Sequence, residues 1–124
     1  MKKILIVEDD ESVRDLLCAI FNTFMGRYHT VCAKDGEEAL SIARIDVPDI
    51  ILLDINLPGL NGYQVCRLVK ADPGMSETKV IMITGMAQSY DQSKAREAGA
   101  DGYFTKPFSS AALAKKVGTL LESR

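Results

Sequence analysis

Carboxylates follow two apolar runs of this sequence, at the points where each run ends. Residues 8–11 read Glu-Asp-Asp-Glu and come directly after Ile4–Val7, and Asp54 comes directly after Ile50–Leu53. An acidic run on its own is more often a solvated loop. Carboxylates held at ~4 Å from one another repel by several kcal/mol at an effective dielectric of ~20, and a divalent cation is the economical way to offset that charge. The position of Asp54 therefore favours a metal site.

Oxygen ligands of this kind select Mg²⁺, which keeps several waters and takes one or two carboxylates plus a phosphoryl oxygen. We expect Asp9 and Asp54 to bind the metal directly and Glu8 to reach it through water. Asn56, which follows Asp54 closely, is placed to offer its backbone carbonyl. The Asp54 carboxylate is also a candidate nucleophile. With Mg²⁺ taking charge from an incoming phosphoryl group, an aspartyl phosphate is chemically reasonable.

Two further side chains at the ends of apolar runs could meet such a phosphate. Lys106 follows Gly102–Thr105, and its ammonium could pair with Asp54 or with its phosphate. Pro107 comes next and can hold the loop through its fixed geometry, with a cis bond as one option. Thr84 ends another apolar run and could donate a hydrogen bond to phosphate. Taken alone, a Lys before a Pro is usually a surface residue and Thr84 an ordinary strand residue, so these roles depend on the surrounding elements.

Those elements can be predicted from the alternation of apolar runs with helix-like stretches. Short continuous apolar runs are typical of buried parallel strands. The predicted strands are Ile4–Val7, Thr30–Ala33, Ile50–Leu53, Val80–Thr84 and Gly102–Thr105. The predicted helices are Ser12–Phe24, Gly36–Arg44, Gly62–Ala71, Tyr90–Ala98 and Ser109–Glu122. This order predicts an α/β fold with right-handed crossovers and helices on both faces of a parallel sheet. The carboxyl ends of the strands, where ligands bind in such sheets, then share one edge.

Two of the predicted helices carry a clear apolar stripe. The first has Ser12 as a candidate N-cap, and its stripe consists of Val13, Leu16, Leu17, Ile20 and Phe24. The stripe of the last helix consists of Leu113, Val117, Leu120 and Leu121. Each stripe predicts the face that packs against the sheet.

Length and charge exclude several classes of protein. A chain of 124 residues is expected to form a single domain, residues 1–124. The net charge of −2 supplies no field that would draw nucleic acid or an anionic membrane, so neither is an expected partner. The sequence contains no run long enough to span a bilayer and no signal-peptide pattern. It also lacks the glycine-rich motifs of nucleotide-binding proteins.

The three cysteines, Cys18, Cys32 and Cys66, show no CxxC spacing, and the chain has one His. This set cannot assemble a structural zinc site. A reducing, cytoplasmic setting fits these cysteines best. We interpret each of them as a small buried hydrophobic residue.

Four segments of the chain together resemble the receiver domain of bacterial two-component response regulators, of the CheY-like kind. They are ILIVEDD at residues 4–10, LDINLPGLNG at 53–62, ITG at 83–85 and GADGYFTKPF at 99–108. The resemblance covers nearly the whole chain. It implies a flavodoxin-like (βα)5 sheet with strand order 2-1-3-4-5. It also implies phosphorylation of Asp54 by a histidine kinase or phosphotransfer protein, and the roles given above to Asp9, Glu8, Asn56, Thr84 and Lys106.

The same resemblance implies a switch that involves Thr84 and Tyr103. The hydroxyl of Thr84 moves toward the phosphoryl group, and the ring of Tyr103 follows inward, which changes partner binding on the face formed by the fourth helix, fifth strand and fifth helix. A weak homodimer through that face is a further expectation. Glu8 stands where the family more often has Asp, a difference expected to alter the metal affinity while keeping the site. We expect a signalling switch that assists only its own phosphorylation and dephosphorylation.

Three other functions remain as alternatives. A phosphatase of the haloacid dehalogenase type also forms an aspartyl phosphate, but its nucleophile follows the first strand in a DxD motif. The second Asp of that motif transfers a proton, which Asn56 at the equivalent position here cannot do. An FMN binder needs a loop of amide donors after the first strand, where residues 8–11 would repel phosphate. A constitutive binding module that is never phosphorylated is the third reading. The chain ends soon after its last predicted helix, which predicts either a stand-alone receiver or part of a longer regulator.

Overall fold

The structure, a computed structural model, describes residues 1–23, 27–85 and 89–122. Its strands are β1 (Lys2–Val7), β2 (Tyr28–Ala33), β3 (Ile50–Asp54), β4 (Lys79–Thr84) and β5 (Gly102–Thr105). Its helices are α1 (Glu11–Asn22), α2 (Gly36–Asp46), α3 (Gly62–Ala71), α4 (Ser89–Glu97) and α5 (Ser110–Glu122). A 3-10 turn over Pro73–Met75, which the sequence analysis did not predict, precedes β4. All ten predicted elements are present, with ends within two residues of those expected.

The strands form one parallel sheet in the order β2-β1-β3-β4-β5. This confirms the predicted flavodoxin-like topology. The direction in which the chain adds strands reverses between β1 and β3, and in open α/β sheets ligands bind beyond the carboxyl ends of the strands at such a point. Glu8 directly follows β1, and Asp54 is the last residue of β3. The topology therefore places two of the predicted site carboxylates at this position.

Two apolar layers enclose the sheet, because alternate strand residues point to opposite faces. Leu5, Val7, Ile51 and Leu53 belong to one layer, which also contains the buried residues of α2 and α3. Ile4, Ile6, Ile50 and Leu52 belong to the other layer, which α1 and α5 cover. Central parallel strands covered on both faces read as continuous apolar runs, which is why the sequence predicted them so directly.

The first helix differs from its prediction in two ways. Its N-cap is Asp10, whose side chain accepts a hydrogen bond from Val13 N, so the prediction of Ser12 was wrong. Asp is as good a cap as Ser, and the cap two residues earlier starts the helix at Glu11. Leu16 is 50% exposed, and Phe21 is fully buried in its place on the packed face.

The remaining stripe residues largely follow the prediction. Leu17 is buried, Val13 and Ile20 are half-buried, and Phe24 lies outside the described residues. In α5, Leu113, Val117 and Leu121 are buried and Leu120 is half-buried. No helix within the described ranges has the length and apolar character needed to cross a membrane.

Candidate functional site

The Asp54 carboxyl group is held in a mostly buried position at the end of β3. The residue is 5% exposed and pairs in register with Ile83 of β4. Its Oδ1 accepts a long hydrogen bond of 3.4 Å from Asn56 N. The start of α3 packs tightly behind it, since a Cβ atom on Gly62 would lie 2.5 Å from the backbone oxygen of Asp54. Burial raises the pKa of Asp54, because the charged form loses solvation.

Glu8 and Asp9 complete a group of three carboxylates. One carboxylate oxygen from each of Glu8, Asp9 and Asp54 lies within 4.8 Å of the other two. Glu8 is 2% exposed, whereas Asp9 is exposed. The backbone N–H of Glu8 donates to Ala33 O of β2 at 3.1 Å. The group therefore combines carboxylates fixed by strand ends with one that remains open to solvent.

Lys106 brings a positive charge into this group from the end of β5. Its Nζ lies 2.9 Å from Glu8 Oε1 and 3.7 Å from Asp54 Oδ2. Its backbone N–H donates to Thr84 O at 2.7 Å, which extends the β4–β5 pairing beyond the strands. The Lys106–Pro107 peptide bond is cis, the option that the sequence left open. The predicted proximity of Lys106 to Asp54 is thus observed, and Glu8 is an additional partner.

The electrostatics of the group are dominated by burial. Burial raises the pKa of Glu8 to about 6, although the hydrogen bond from Lys106 acts in the opposite direction. For Lys106, burial disfavours the ammonium, but the hydrogen bond to Glu8 and the charge of Asp54 outweigh it and leave the pKa raised. The ammonium is therefore retained, and the carboxylates still exceed it in number. A net negative, oxygen-rich group of this kind suits a hard divalent cation.

Thr84 and Tyr103, the predicted switch residues, lie on neighbouring strands. Thr84 ends β4 and is 1% exposed, in register with Thr105. Tyr103 lies inside β5, half-buried, and packs against the apolar layer that contains α2 and α3. It also lines a cavity of about 360 Å³ between α4 and β5, together with Gln92 and Ala95. Thr84 therefore adjoins the charged group, and Tyr103 lies farther toward the outer edge of the sheet.

Two contacts of Glu8 were not predicted from the sequence. Arg14 Nη1 donates to Glu8 O at 2.9 Å from the first turns of α1. Asp10 N donates to Glu8 Oε2 at 3.1 Å. The only sequence signal for the Arg14 contact was a basic residue shortly after an acidic loop. Such spacing is common on helices and does not by itself predict a contact. Together these contacts fix the loop that carries Asp9.

Comparison with known proteins places these observations in context. Residues 4–118 match the family model described as "Response regulator receiver domain". The chain is 39% identical over 120 residues to the alkaline phosphatase synthesis transcriptional regulatory protein PhoP of Bacillus subtilis, an alignment that covers 97% of this chain and 48% of PhoP. The chain spans about half the length of the curated relatives it matches.

Solved structures of receiver domains and a chemotaxis protein are also similar to this chain. The signal receiver domain of a signal transduction histidine kinase from Syntrophus aciditrophicus superposes with a TM-score of 0.89 at 33% identity, covering 98% of this chain and 90% of that one. Chemotaxis protein CheY4 of Vibrio cholerae superposes with a TM-score of 0.89 at 28% identity, covering 97% of this chain and 98% of that one.

Proposed function

Since the chain belongs to the response regulator receiver domain family, we propose that it is a single receiver domain, residues 1–124, that accepts a phosphoryl group on Asp54. The observation that carries the proposal is the position of this carboxylate, mostly buried at the end of β3 and 3.7 Å from the ammonium of Lys106. Receiver domains are signalling switches and not classical enzymes. The chain accordingly accepts the phosphoryl group on its own side chain and then binds a partner differently.

The three clustered carboxylates fit the Mg²⁺ ion that receiver domains bind. Asp9 and Asp54 would bind the metal directly, Glu8 through water, and Asn56 through its backbone carbonyl. The supporting observation is the donor set itself: three hard oxygen ligands within 4.8 Å of one another, one of them exposed. When bound, the metal supplies charge neutralisation for the incoming phosphoryl oxygens.

Phosphoryl transfer then depends on groups that the chain already holds in place. An oxygen of Asp54 attacks the phosphorus of a phosphohistidine on a histidine kinase or phosphotransfer protein, and the P–N bond breaks as the P–O bond forms. Lys106 donates to a phosphoryl oxygen and stabilises its charge, and Thr84 donates its hydroxyl to another. Pro107, whose ring fixes its backbone geometry, holds the loop that presents Lys106. These roles are supported by the shared sheet edge on which Asp54, Thr84 and Lys106 lie.

The output is a change in the surface made by α4, β5 and α5. Thr84 moves toward the new phosphoryl group, and Tyr103 turns inward, which alters the cavity that it lines between α4 and β5. The support is the open space beside Tyr103 and the backbone bond between Thr84 and Lys106. A phosphoryl group shifts this equilibrium only by its differential affinity for the two states. We expect a protein target, or a weak homodimer, at this surface, with no direct nucleic-acid or membrane contact, and action in the cytoplasm.

The test uses acetyl phosphate as a small phosphodonor, with and without Mg²⁺, followed by intact mass and amide NMR. The expected result is one added phosphoryl group that requires Mg²⁺, is absent in Asp54→Asn, and persists in Glu97→Gln, an exposed carboxyl on α4. Beryllofluoride should shift the amides of Thr84 and Tyr103 in the same Mg²⁺-dependent way.

Other outcomes separate the alternatives. Full incorporation into Asp54→Asn would overturn the assignment of the phosphoacceptor. Mg²⁺ binding with no modification would indicate a constitutive binding module. Continuous release of inorganic phosphate from small phosphomonoesters would indicate a phosphatase of the haloacid dehalogenase type.

A further inference from the structure

Two cysteines that are distant from the phosphoacceptor chemistry are in direct contact. The Sγ atoms of Cys18 on α1 and Cys32 on β2 lie 2.8 Å apart, and both residues are free thiols. Carbon atoms in van der Waals contact are ordinarily ~3.5–4.0 Å apart, and sulfur is larger than carbon, so 2.8 Å is a close thiol–thiol contact. This contact could not be predicted from the sequence, because the two residues belong to different elements and have no motif spacing.

The surrounding fold holds both thiols in place. Cys32 is in register with Ile6 of the adjacent strand, and Cys18 lies on the face of α1 that packs against the sheet. Nearby, Phe21 of α1 contacts Tyr28 of β2 edge to face, with ring centroids 5.6 Å apart. Each cysteine is half-buried and therefore open in part to solvent. We therefore expect a small reagent to reach the pair while α1 and β2 stay folded.

We propose that Cys18 and Cys32 form a dithiol site that hydroperoxides convert reversibly to an intramolecular disulfide. A disulfide requires its sulfurs to be ~2.05 Å apart, so the two atoms need to approach by less than ~1 Å. The site lies on the α1–α5 side of the sheet and does not depend on phosphorylation of Asp54. Disulfides are rare in reducing compartments, and those that do form there are usually transient.

The chemistry divides between the two thiols. Burial and the neighbouring sulfur of Cys18 raise the pKa of Cys32 to about 12, so Cys32 keeps its proton and Cys18 reacts first. The Cys18 sulfur attacks the terminal oxygen of the hydroperoxide, and the O–O bond breaks as the S–O bond forms. The released alkoxide takes the Cys18 proton and leaves as an alcohol, and Cys18 becomes a sulfenic acid. The Cys32 sulfur then attacks the Cys18 sulfur. The S–O bond breaks, and hydroxide takes the Cys32 proton to leave as water.

The disulfide would join α1 to the strand that supports the acidic loop. Ala33, next to Cys32, accepts the backbone hydrogen bond of Glu8, and α1 begins directly after Asp10. The third cysteine, Cys66 of α3, is fully buried in the opposite apolar layer. It provides a control within the same chain, because it has no cysteine neighbour on its side of the sheet.

The experiment treats the full chain with one to a few equivalents of tert-butyl hydroperoxide under anaerobic conditions and measures intact mass. The expected result is the loss of two hydrogen atoms, full recovery with dithiothreitol, and a trypsin product in which residues 15–27 are linked to residues 28–34. Trypsin separates these two cysteines after Arg27, so the linkage is unambiguous.

Variants decide between this pairing and others. Cys66→Ser should behave as the unmodified chain, whereas Cys18→Ser and Cys32→Ser should each lose the linked peptide. Circular dichroism should show that both serine variants keep the native helix content. Wild-type protein that keeps both thiols at ten equivalents of reagent, or a linked peptide that contains Cys66, would overturn the proposal.

Discussion

The ammonium of Lys106 lies 2.9 Å from Glu8 Oε1, closer than its distance of 3.7 Å from Asp54 Oδ2. The lysine therefore has its nearest carboxylate partner in Glu8, a residue next to the proposed metal ligand Asp9. Its positive charge competes with any cation that enters the group. We expect this relationship to set the balance between metal affinity and phosphoryl stabilisation.

Replacement of this lysine should strengthen Mg²⁺ binding and weaken phosphorylation. In Lys106→Met, the carboxylates lose a competing charge at close range, worth a few kcal/mol at an effective dielectric of ~20, so we expect the Mg²⁺ dissociation constant to fall by about tenfold or more. Isothermal titration with MgCl₂ measures this change. Lys115→Met, an exposed lysine on α5, should leave it unaltered. Equal or weaker Mg²⁺ binding in Lys106→Met would contradict the competition.

The pKa of Glu8 predicts an unusual pH dependence of stability in metal-free protein. A carboxyl group whose pKa is raised from 4.5 to about 6 in the folded chain binds its proton more tightly when folded. Its contribution to stability is fully present below pH 4.5 and is lost as the pH rises through about 6. At about 1.4 kcal/mol per pKa unit, the loss is about 2 kcal/mol.

Urea unfolding in EDTA across this pH range measures the effect. Glu8→Gln cannot titrate at this position, so the free energy of unfolding of wild type minus that of Glu8→Gln should decline as pH rises. Glu97→Gln serves as the control for an exposed carboxyl and should track wild type. A difference that stays constant with pH would show that Glu8 does not bind its proton more tightly in the folded chain.

Metal binding should reverse that loss. A cation that binds only the folded state stabilises it by about 2.7 kcal/mol at a hundred times its dissociation constant. We expect Mg²⁺ to raise Tm in wild type, and to raise it far less in Asp9→Asn, which removes the exposed carboxylate of the group. Differential scanning calorimetry with a magnesium series measures both. A similar increase in Tm in the two proteins would exclude Asp9 as a ligand.

Two glycines offer a matched test of packing behind Asp54. A methyl group on Gly62 would lie 2.5 Å from Asp54 O and 2.7 Å from Ile55 Cα, both backbone atoms that cannot move aside easily. We expect Gly62→Ala to destabilise the fold by about 1–3 kcal/mol or more. Gly118, inside α5, has nothing within 4 Å of an added methyl, so Gly118→Ala should stabilise by roughly 0.5–1 kcal/mol. Urea denaturation compares the two, and a loss of equal size in both would rule out the proposed clash.

Much of the fold follows from the sequence, because central parallel strands are buried on both faces. Runs such as Ile50–Leu53 have no alternation of polar residues, and Asp54 stands out directly after one of them. The α1 stripe was predicted less accurately. Leu16 and Phe21 are both apolar, and which of them is buried depends on how the helix is rotated against the sheet, which the helical period alone does not fix.

Contacts between distant side chains could not be predicted in the same way. The pairing of Glu8 with Lys106 joins residues 98 positions apart, and the contact between Cys18 and Cys32 depends on how a helix faces its neighbouring strand. The sequence predicted where each strand and helix lies along the chain and that the strand ends share one edge of the sheet. Which partner each side chain contacts at that edge depends on differences in distance of a few tenths of an ångström. Those differences are set only when the chain is folded.

The origin of the proposed site residues in strand ends has a consequence for how such proteins diversify. Glu8, Asp54, Thr84 and Lys106 lie at or next to the ends of β1, β3, β4 and β5, whereas exposed apolar side chains such as Leu16 lie on the outer surfaces of helices. Those outer surfaces can be exchanged while the strand ends stay as they are. The same proposed site can thus serve different partners when only the outer surfaces of the helices change.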